Sequence, residues 1–173
     1  VCGDPTSRHG IILAKNEPAK KFGVQTAETI WQAKKKCPEL VLLPPHHKLY
    51  RQVSKEVNTI YEQYTDLVEP FGIDESWLDL TGSLHLFGGD AVALADGLRD
   101  RLRRELGLTI SVGVSFNKVF AKLGSDYKKP DATTVITREN FRQIVWPLPV
   151  SDLLYVGRAA AETFQRFGVK TIG

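Results

Sequence analysis

Two stretches whose apolar residues fall on a single helical face enclose Leu67-Val-Glu-Pro-Phe-Gly-Ile-Asp-Glu-Ser-Trp-Leu-Asp-Leu80, and this order constrains the fold more than any other feature. In the first stretch, from His46 to about Tyr64, the residues Leu49, Val53, Val57, Ile60 and Tyr64 step by four, four, three and four. In the second, Leu94, Leu98, Leu102 and Leu106 recur every four residues, with Asp90 placed to cap the start and Gly107 to end it. Both patterns predict amphipathic helices. Leu108-Thr-Ile-Ser-Val-Gly-Val-Ser115 alternates and predicts a strand with one buried face. The order helix, strand, strand, helix, strand becomes a split β-α-β-β-α-β arrangement once a strand is added in front. An α+β, ferredoxin-like layer is therefore expected, with both helices on one face of an antiparallel-containing sheet.

The enclosed stretch predicts a hairpin with Asp74 and Glu75 at its bend. Neighbouring side chains on a regular strand point to opposite faces, so two consecutive acids share a ligand only where the backbone leaves strand geometry. Gly72 gives that freedom. From Glu75 onward, Ser76, Leu78 and Leu80 form one face, suited to pack on helices. Glu75, Trp77 and Asp79 form the other, suited to line a cleft.

Before the first long helix, Gly10 to Ala14 reads as a short strand, followed by a lysine-rich turn through Lys20-Lys21-Phe22-Gly23. A helix capped by Thr26 then runs to the Cys37-Pro38 stop, and Leu40-Val-Leu-Leu43 reads as a buried strand ended by Pro44-Pro45. Neither of these strands carries a carboxylate, so the partner strand for the acidic bend is expected to precede Val1. After the alternating strand, Asn117 caps a short helix from Val119 to Asp126, and the basic loop Tyr127-Lys-Lys-Pro130 leads to a strand around Thr133 to Ile136. Phe141, Ile144 and Val145 suit a short helix. Residues 151–168 read as helix, tight Val156-Gly157 turn, helix; such a turn aims backbone N–H groups at a phosphate.

With 173 residues, the chain is long enough to bury a core. At 42% hydrophobic and 25% charged residues, with no apolar run long enough to cross a bilayer, a soluble protein is expected. Two distant cysteines, Cys2 and Cys37, without a CxxC or a secretory signal, suit a reducing compartment, and the cytoplasm is the default expectation. The net charge of +3 is mild, but Lys34-Lys35-Lys36, Arg99 to Arg104, and Lys118, Lys122, Lys128 and Lys129 are clustered. Most such runs are solvated faces; a polyanion partner needs further support. The chain has no Met and opens on Val1-Cys2-Gly3, which suggests a fragment of a longer protein, as does its close on Gly173.

Hard divalent cations such as Mg²⁺ take oxygen ligands, commonly one or two carboxylates plus substrate phosphates, and Asp74 with Glu75 meet that minimum. An acidic pair at a turn is ordinarily just solvated. The Gly-Ile-Asp-Glu-Ser setting between two buried strands raises the weight of a ligand role without displacing the solvated turn. His46-His47 lacks a Cys or carboxylate at ligand spacing and reads as surface histidine. No P-loop, dinucleotide fingerprint, HExxH or nucleophile elbow is present.

Together these stretches resemble the Y-family DNA polymerases of the bacterial translesion type. The resemblance rests on Ala19-Lys-Lys-Phe-Gly-Val24, Phe71-Gly-Ile-Asp-Glu-Ser-Trp-Leu-Asp79, Ser111-Val-Gly-Val-Ser-Phe-Asn-Lys-Val-Phe-Ala-Lys122, Ser125-Asp-Tyr-Lys-Lys-Pro130 and the helix-turn-helix-like end. It implies fingers over residues 1–46, a palm over 47–136 and the start of a thumb, with a helix-hairpin-helix, over 137–173. Asp74 and Glu75 match two of three metal-binding carboxylates for two Mg²⁺ ions. The third would lie on the first palm strand, beside an aromatic residue that screens out ribonucleotides. Lys129 matches a triphosphate-contacting lysine, and Lys118, Lys122, Val156 and Gly157 would face primer-template DNA. Lys20 and Glu17 stand where the family usually places an Arg and a Tyr that hold the triphosphate, and Tyr155 stands where the thumb turn's first Gly is expected. The resemblance further implies a monomer that meets a sliding clamp through a C-terminal part beyond these residues. The rival expectation is a catalytically silent relative acting as a DNA-bound or partner-binding scaffold. A cyclase-like palm shares the sheet but leaves the thumb hairpin unexplained.

Overall fold

The computed structural model describes residues 1–4 and 9–173; residues 5–8, within the expected fingers, lie outside the description. The chain forms two compact units, Val1–Ser54 and Lys55–Gly173, and each is described by itself.

In the first unit, helix α1 (Glu17–Lys21) stands where a lysine-rich turn was expected. Asn16 accepts the Ala19 N–H and Pro18 occupies the first turn, where its missing donor costs nothing. Helix α2 (Ile30–Lys36) begins at Thr29, three residues later than the Thr26 cap expected, because Thr29 and Gln32 form a reciprocal capping box. Cys37 ends it, as expected. Gly10 to Ala14 is not a ladder strand: it makes isolated bridges, Cys2 to Ile12 and Ile11 to Thr29. Leu40 to Leu43 is not a strand either. Leu40 and Leu42 pack on a core of Cys2, Ile12, Val24, Ile30, Ala33 and Cys37, while Val41 and Leu43 are exposed. Its burial alternates as in a strand, and the Leu43 carbonyl accepts the Cys2 N–H at 3.1 Å, but no ladder runs along it among the described residues.

Helix α3 (His47–Tyr61) runs through the division between the units. In the second unit, its C-terminal half contributes Val57, Ile60 and Tyr61 to a core with Leu98 and Leu102 of helix α4 (Ala91–Leu106), and Leu78 and Ile110 pack against the same cluster. The leucine spacing is satisfied as written: Leu94, Leu98 and Leu102 are buried, Asp90 accepts the N–H groups of Val92 and Ala93, and Gly107 ends the helix in the left-handed region. Burial pushes the Tyr61 phenol up to about 12.

Strands β1 (Val68–Pro70) and β2 (Ser76–Leu78) pair antiparallel, and β3 (Val112–Ser115) and β4 (Thr133–Ile136) pair parallel. Instead of the one continuous sheet expected, the described residues form two two-stranded sheets, with no ladder joining β2 to β3. Helix α5 (Lys118–Tyr127), capped by Asn117, is the crossover that parallel pairing of β3 and β4 requires. It lies against them with no room to spare: a Cβ on Gly113 would stand 1.8 Å from the Ala121 carbonyl oxygen, and one on Gly124 would stand 3.0 Å from the Gly113 Cα.

Beyond β4, helix α6 (Phe141–Ile144), Val145, Leu148, Leu153 and Ile172 close a core on Leu123 and Ile136. The first half of the expected helix-turn-helix is only a 3-10 turn, Val150–Asp152; helix α7 (Arg158–Arg166) is its second half.

Candidate active site at the hairpin bend

The β1–β2 register pairs Val68 with Leu78, Glu69 with Trp77 and Pro70 with Ser76, which leaves Phe71 to Glu75 as the loop. The Phe71 N–H donates to the Glu75 carbonyl at 2.8 Å, and Gly72 sits at φ +83°, the freedom the bend requires. The two faces separate as the alternation requires. Ser76 donates its hydroxyl to Asn58 Oδ1 of α3 at 2.7 Å, and Leu78 meets the helical core. Glu75 and Trp77 instead meet α5.

At that contact, Lys118 Nζ lies 2.6 Å from both Glu69 carboxylate oxygens and 4.5 Å from the centre of the Trp77 ring, while the Trp77 indole N–H donates to the Lys118 carbonyl at 3.1 Å. One turn on, Lys122 Nζ lies 2.7 Å from Glu75 Oε1 and 2.7 Å from Asp126 Oδ2. Asp126 Oδ1 is 2.5 Å from Lys129 Nζ. Burial works against the Lys122 ammonium, but its hydrogen bonds to Asp126 and Glu75 outweigh that and hold its pKa above the usual lysine value. Burial likewise pushes the Asp126 carboxyl up, and the two lysines bring it below the usual carboxylate range. Lys122 was expected to face a template-primer. Its side chain is 19% exposed and turned to two carboxylates of its own chain.

Asp74 is exposed on the loop; Glu75, beside it, is half-buried. Two adjacent oxygen donors at a glycine bend fit a hard divalent cation in part, because such ions complete their shell with substrate phosphates and water. Glu75 is already paired with the Lys122 ammonium, and a cation bound there competes with that pair. Among the described residues no group of three or more His, Cys, Asp or Glu could hold a metal ion.

The loop that carries Lys129 is anchored two residues on, at Asp131. Arg99 and Arg103 of α4 both bond the Asp131 carboxylate, and Arg99 also reaches Asp96 at 2.9 Å. The arginine run that suggested a polyanion surface is thus largely paired internally, with Arg101 on Glu105, Gln63 and Tyr64. In the first unit, Lys20 lies 3.7 Å from Glu17 on exposed α1, so the two residues that depart from the family pattern face each other. Tyr155, also a departure, sits at φ +69° and is 81% exposed, a backbone state that suits the expected Gly. Val156 and Gly157 follow it, and Gly157 is the N-cap of α7, without a side-chain cap.

Sequence reasoning missed the Glu69–Lys118–Trp77 cluster and the role of Asp126. Lys118, Lys122 and Asp126 recur every four residues on one face of a helix, a signal that could have found them.

The fold is that of solved Y-family polymerases. A chimeric Y-family DNA polymerase built on Dbh superposes with a TM-score of 0.88 over 98% of this chain and 50% of its own, at 23% identity. DinB from Sulfolobus solfataricus superposes at 0.85 over 94% of this chain and 48% of its own, at 24% identity. Residues 1–126 match the impB/mucB/samB family, and the chain therefore belongs to that family, the Y-family anticipated from its motifs. Its similar relatives include DNA polymerase IV of Acetivibrio thermocellus, 56% identical over all of this chain, and DNA polymerase IV 2 of Bacillus subtilis, 41% identical over all of it. The chain spans 43% and 42% of these two relatives' lengths.

Proposed function

We propose that the protein is a template-directed DNA polymerase of the translesion type, acting in damage tolerance and repair. It extends a primer by attack of the 3′ oxygen on the α-phosphate of a deoxynucleoside triphosphate, with pyrophosphate leaving. The observation that carries this reading is the acidic pair at the hairpin bend with the lysine face of α5 beside it. A solved neighbour described as an insertion ternary complex of Dbh DNA polymerase, with a TM-score of 0.86, adds support for DNA and nucleotide as partners.

In this reading Asp74 and Glu75 hold Mg²⁺, which when bound lowers the charge on the phosphates and activates the attacking oxygen. Lys129, and Lys20 from the fingers, balance triphosphate charge; Lys20 lacks the planar fork of Arg. Lys118 and the N–H groups that open α7 beyond Gly157 take backbone phosphates, which position DNA without reading its sequence; the Val156 N–H, expected to join them, is already donated to the Leu153 carbonyl at 3.0 Å. The unjoined β2 and β3 suit one further strand between them, completing a ferredoxin-like palm over residues 47–136 and bringing the third carboxylate. Residues 1–46 are then fingers and 137–173 the start of a helix-hairpin-helix thumb. A cytoplasmic monomer that meets a sliding clamp completes the proposal.

The Glu17–Lys20 pair favours a second reading, a silent scaffold that binds DNA without extending it. Primer extension by the full-length chain separates the two. Extension that Asp74→Ala abolishes supports the enzyme. DNA binding with no extension by the unaltered protein supports the scaffold, and robust extension by Asp74→Ala refutes the assigned site.

A further inference from the structure

Four alternating charges run in line from the hairpin to the basic loop: Glu75, Lys122, Asp126 and Lys129. Each touches the next, at 2.7, 2.7 and 2.5 Å. The two ends of this ladder are the residues assigned above to metal and to triphosphate. Lys122, one of its two inner rungs, is the least exposed of the four and divides its ammonium between a carboxylate on each side. The hold of an ammonium on a carboxylate is electrostatic, so once the charge of Glu75 is taken by a cation the Lys122 charge falls on Asp126 alone. Asp126 offers Oδ2 to Lys122 and Oδ1 to Lys129, so with Glu75 engaged elsewhere the two lysines share a single negative charge, and Lys129, the more exposed, carries the surplus.

We propose that Lys122 is a positioning residue that couples the two ends of the site: it holds Glu75 until a divalent cation takes that carboxylate, then shifts onto Asp126 and releases Lys129 toward phosphate. This rests on the reading of Asp74 and Glu75 as metal ligands. As paired, the ladder leaves its two ends mutually neutralised. Once Glu75 is engaged, the positive charge of Lys129 becomes available where a polyphosphate would need it. The two bindings are then linked in the chain itself, and linkage of this kind is reciprocal.

The test follows the side-chain ammonium signals of ¹⁵N-lysine in the full-length chain by NMR, with Lys122→Arg and Lys129→Arg as assignment controls. Mg²⁺ is added with no nucleotide or DNA present. The expected result is that Mg²⁺ shifts the Lys122 and Lys129 signals together. Asp126→Asn should abolish the Lys129 shift and keep that of Lys122, and Glu75→Gln should abolish both. In parallel, Lys122→Met should tighten Mn²⁺ binding about two- to five-fold, the range expected for removing one competing, partly exposed ion pair. Lys122→Arg should keep the wild-type affinity. Mg²⁺ binding that depends on Glu75 but leaves the Lys129 signal in place overturns the coupling and leaves the metal site standing. Binding indifferent to both Glu75→Gln and Asp74→Ala overturns the metal site, and the coupling with it. A Lys122→Met variant altered only in thermal stability would reduce Lys122 to a structural ion pair.

Discussion

Helix α5 meets β3 through backbone, Gly113 against Gly124, and meets the β1–β2 hairpin through side chains, Lys118 on Glu69 and Lys122 on Glu75. The first contact tolerates no added atom. The second consists of charges that can exchange partners. The difference suggests a division of labour: β3, α5 and β4 fix where the lysines stand, and the hairpin presents carboxylates that those lysines can hold or release. Backbone contact sets position, while ion pairs at a half-exposed surface set affinity at small cost in stability.

The sharpest way to break this comparison is Gly113→Ala. Its Cβ would stand 1.8 Å from the Ala121 carbonyl, so α5 must move or the unit must open. We expect destabilisation of about 3 kcal/mol or more, at the upper end for overpacking, read by chemical denaturation. A near-neutral result would mean that α5 is not seated on β3 as described. Asn117→Ala removes the acceptor of the Phe120 N–H and should cost about 1 kcal/mol, loosening the end of α5 that carries Lys118.

Acid should act on the rigid side next. Arg99 and then Arg103 hold the Asp131 carboxyl below its usual range, and the Thr133 hydroxyl, followed by Arg99, does the same for Asp96. A carboxyl lowered in the folded state contributes stability that is present above its unfolded pKa, near 3.8, and is lost as pH falls through the folded value. Melting temperature should therefore be steady near pH 5 and decline below about pH 4. Asp131→Asn should flatten part of that decline. The smallest effect belongs to the hairpin side: Lys118→Met should change stability by no more than about 1 kcal/mol, because its partner Glu69 is itself exposed. A larger loss would show that the hairpin is held as firmly as β3.

Sequence legibility follows the same division. Asp90, Gly107 and the leucines at 94, 98 and 102 were readable because caps and helical faces are local. The bend at Asp74 and Glu75 was readable from Gly72 and the alternation that follows it. Leu40 to Leu43 misled because a short apolar run does not say whether a ladder partner exists. The close approach of Gly113 to Gly124 was hidden for a related reason. Within its strand Gly113 is one term of an alternation, and only the crossing of α5 gives it meaning. The ladder through Lys122 combined both cases: its i, i+4 step to Asp126 was visible on the helix, but the reach of 47 residues to Glu75 was not.

The most direct measurement replaces Mg²⁺ with Fe²⁺ in the full-length chain and maps where the oxidising ion cuts the backbone in the presence of ascorbate and peroxide. Cuts concentrated around residues 72–76, suppressed by excess Mg²⁺ and lost in Asp74→Ala with Glu75→Gln, are the expected result. Cuts that cluster elsewhere, or that persist unchanged in the double variant, would contradict a cation site at the hairpin bend.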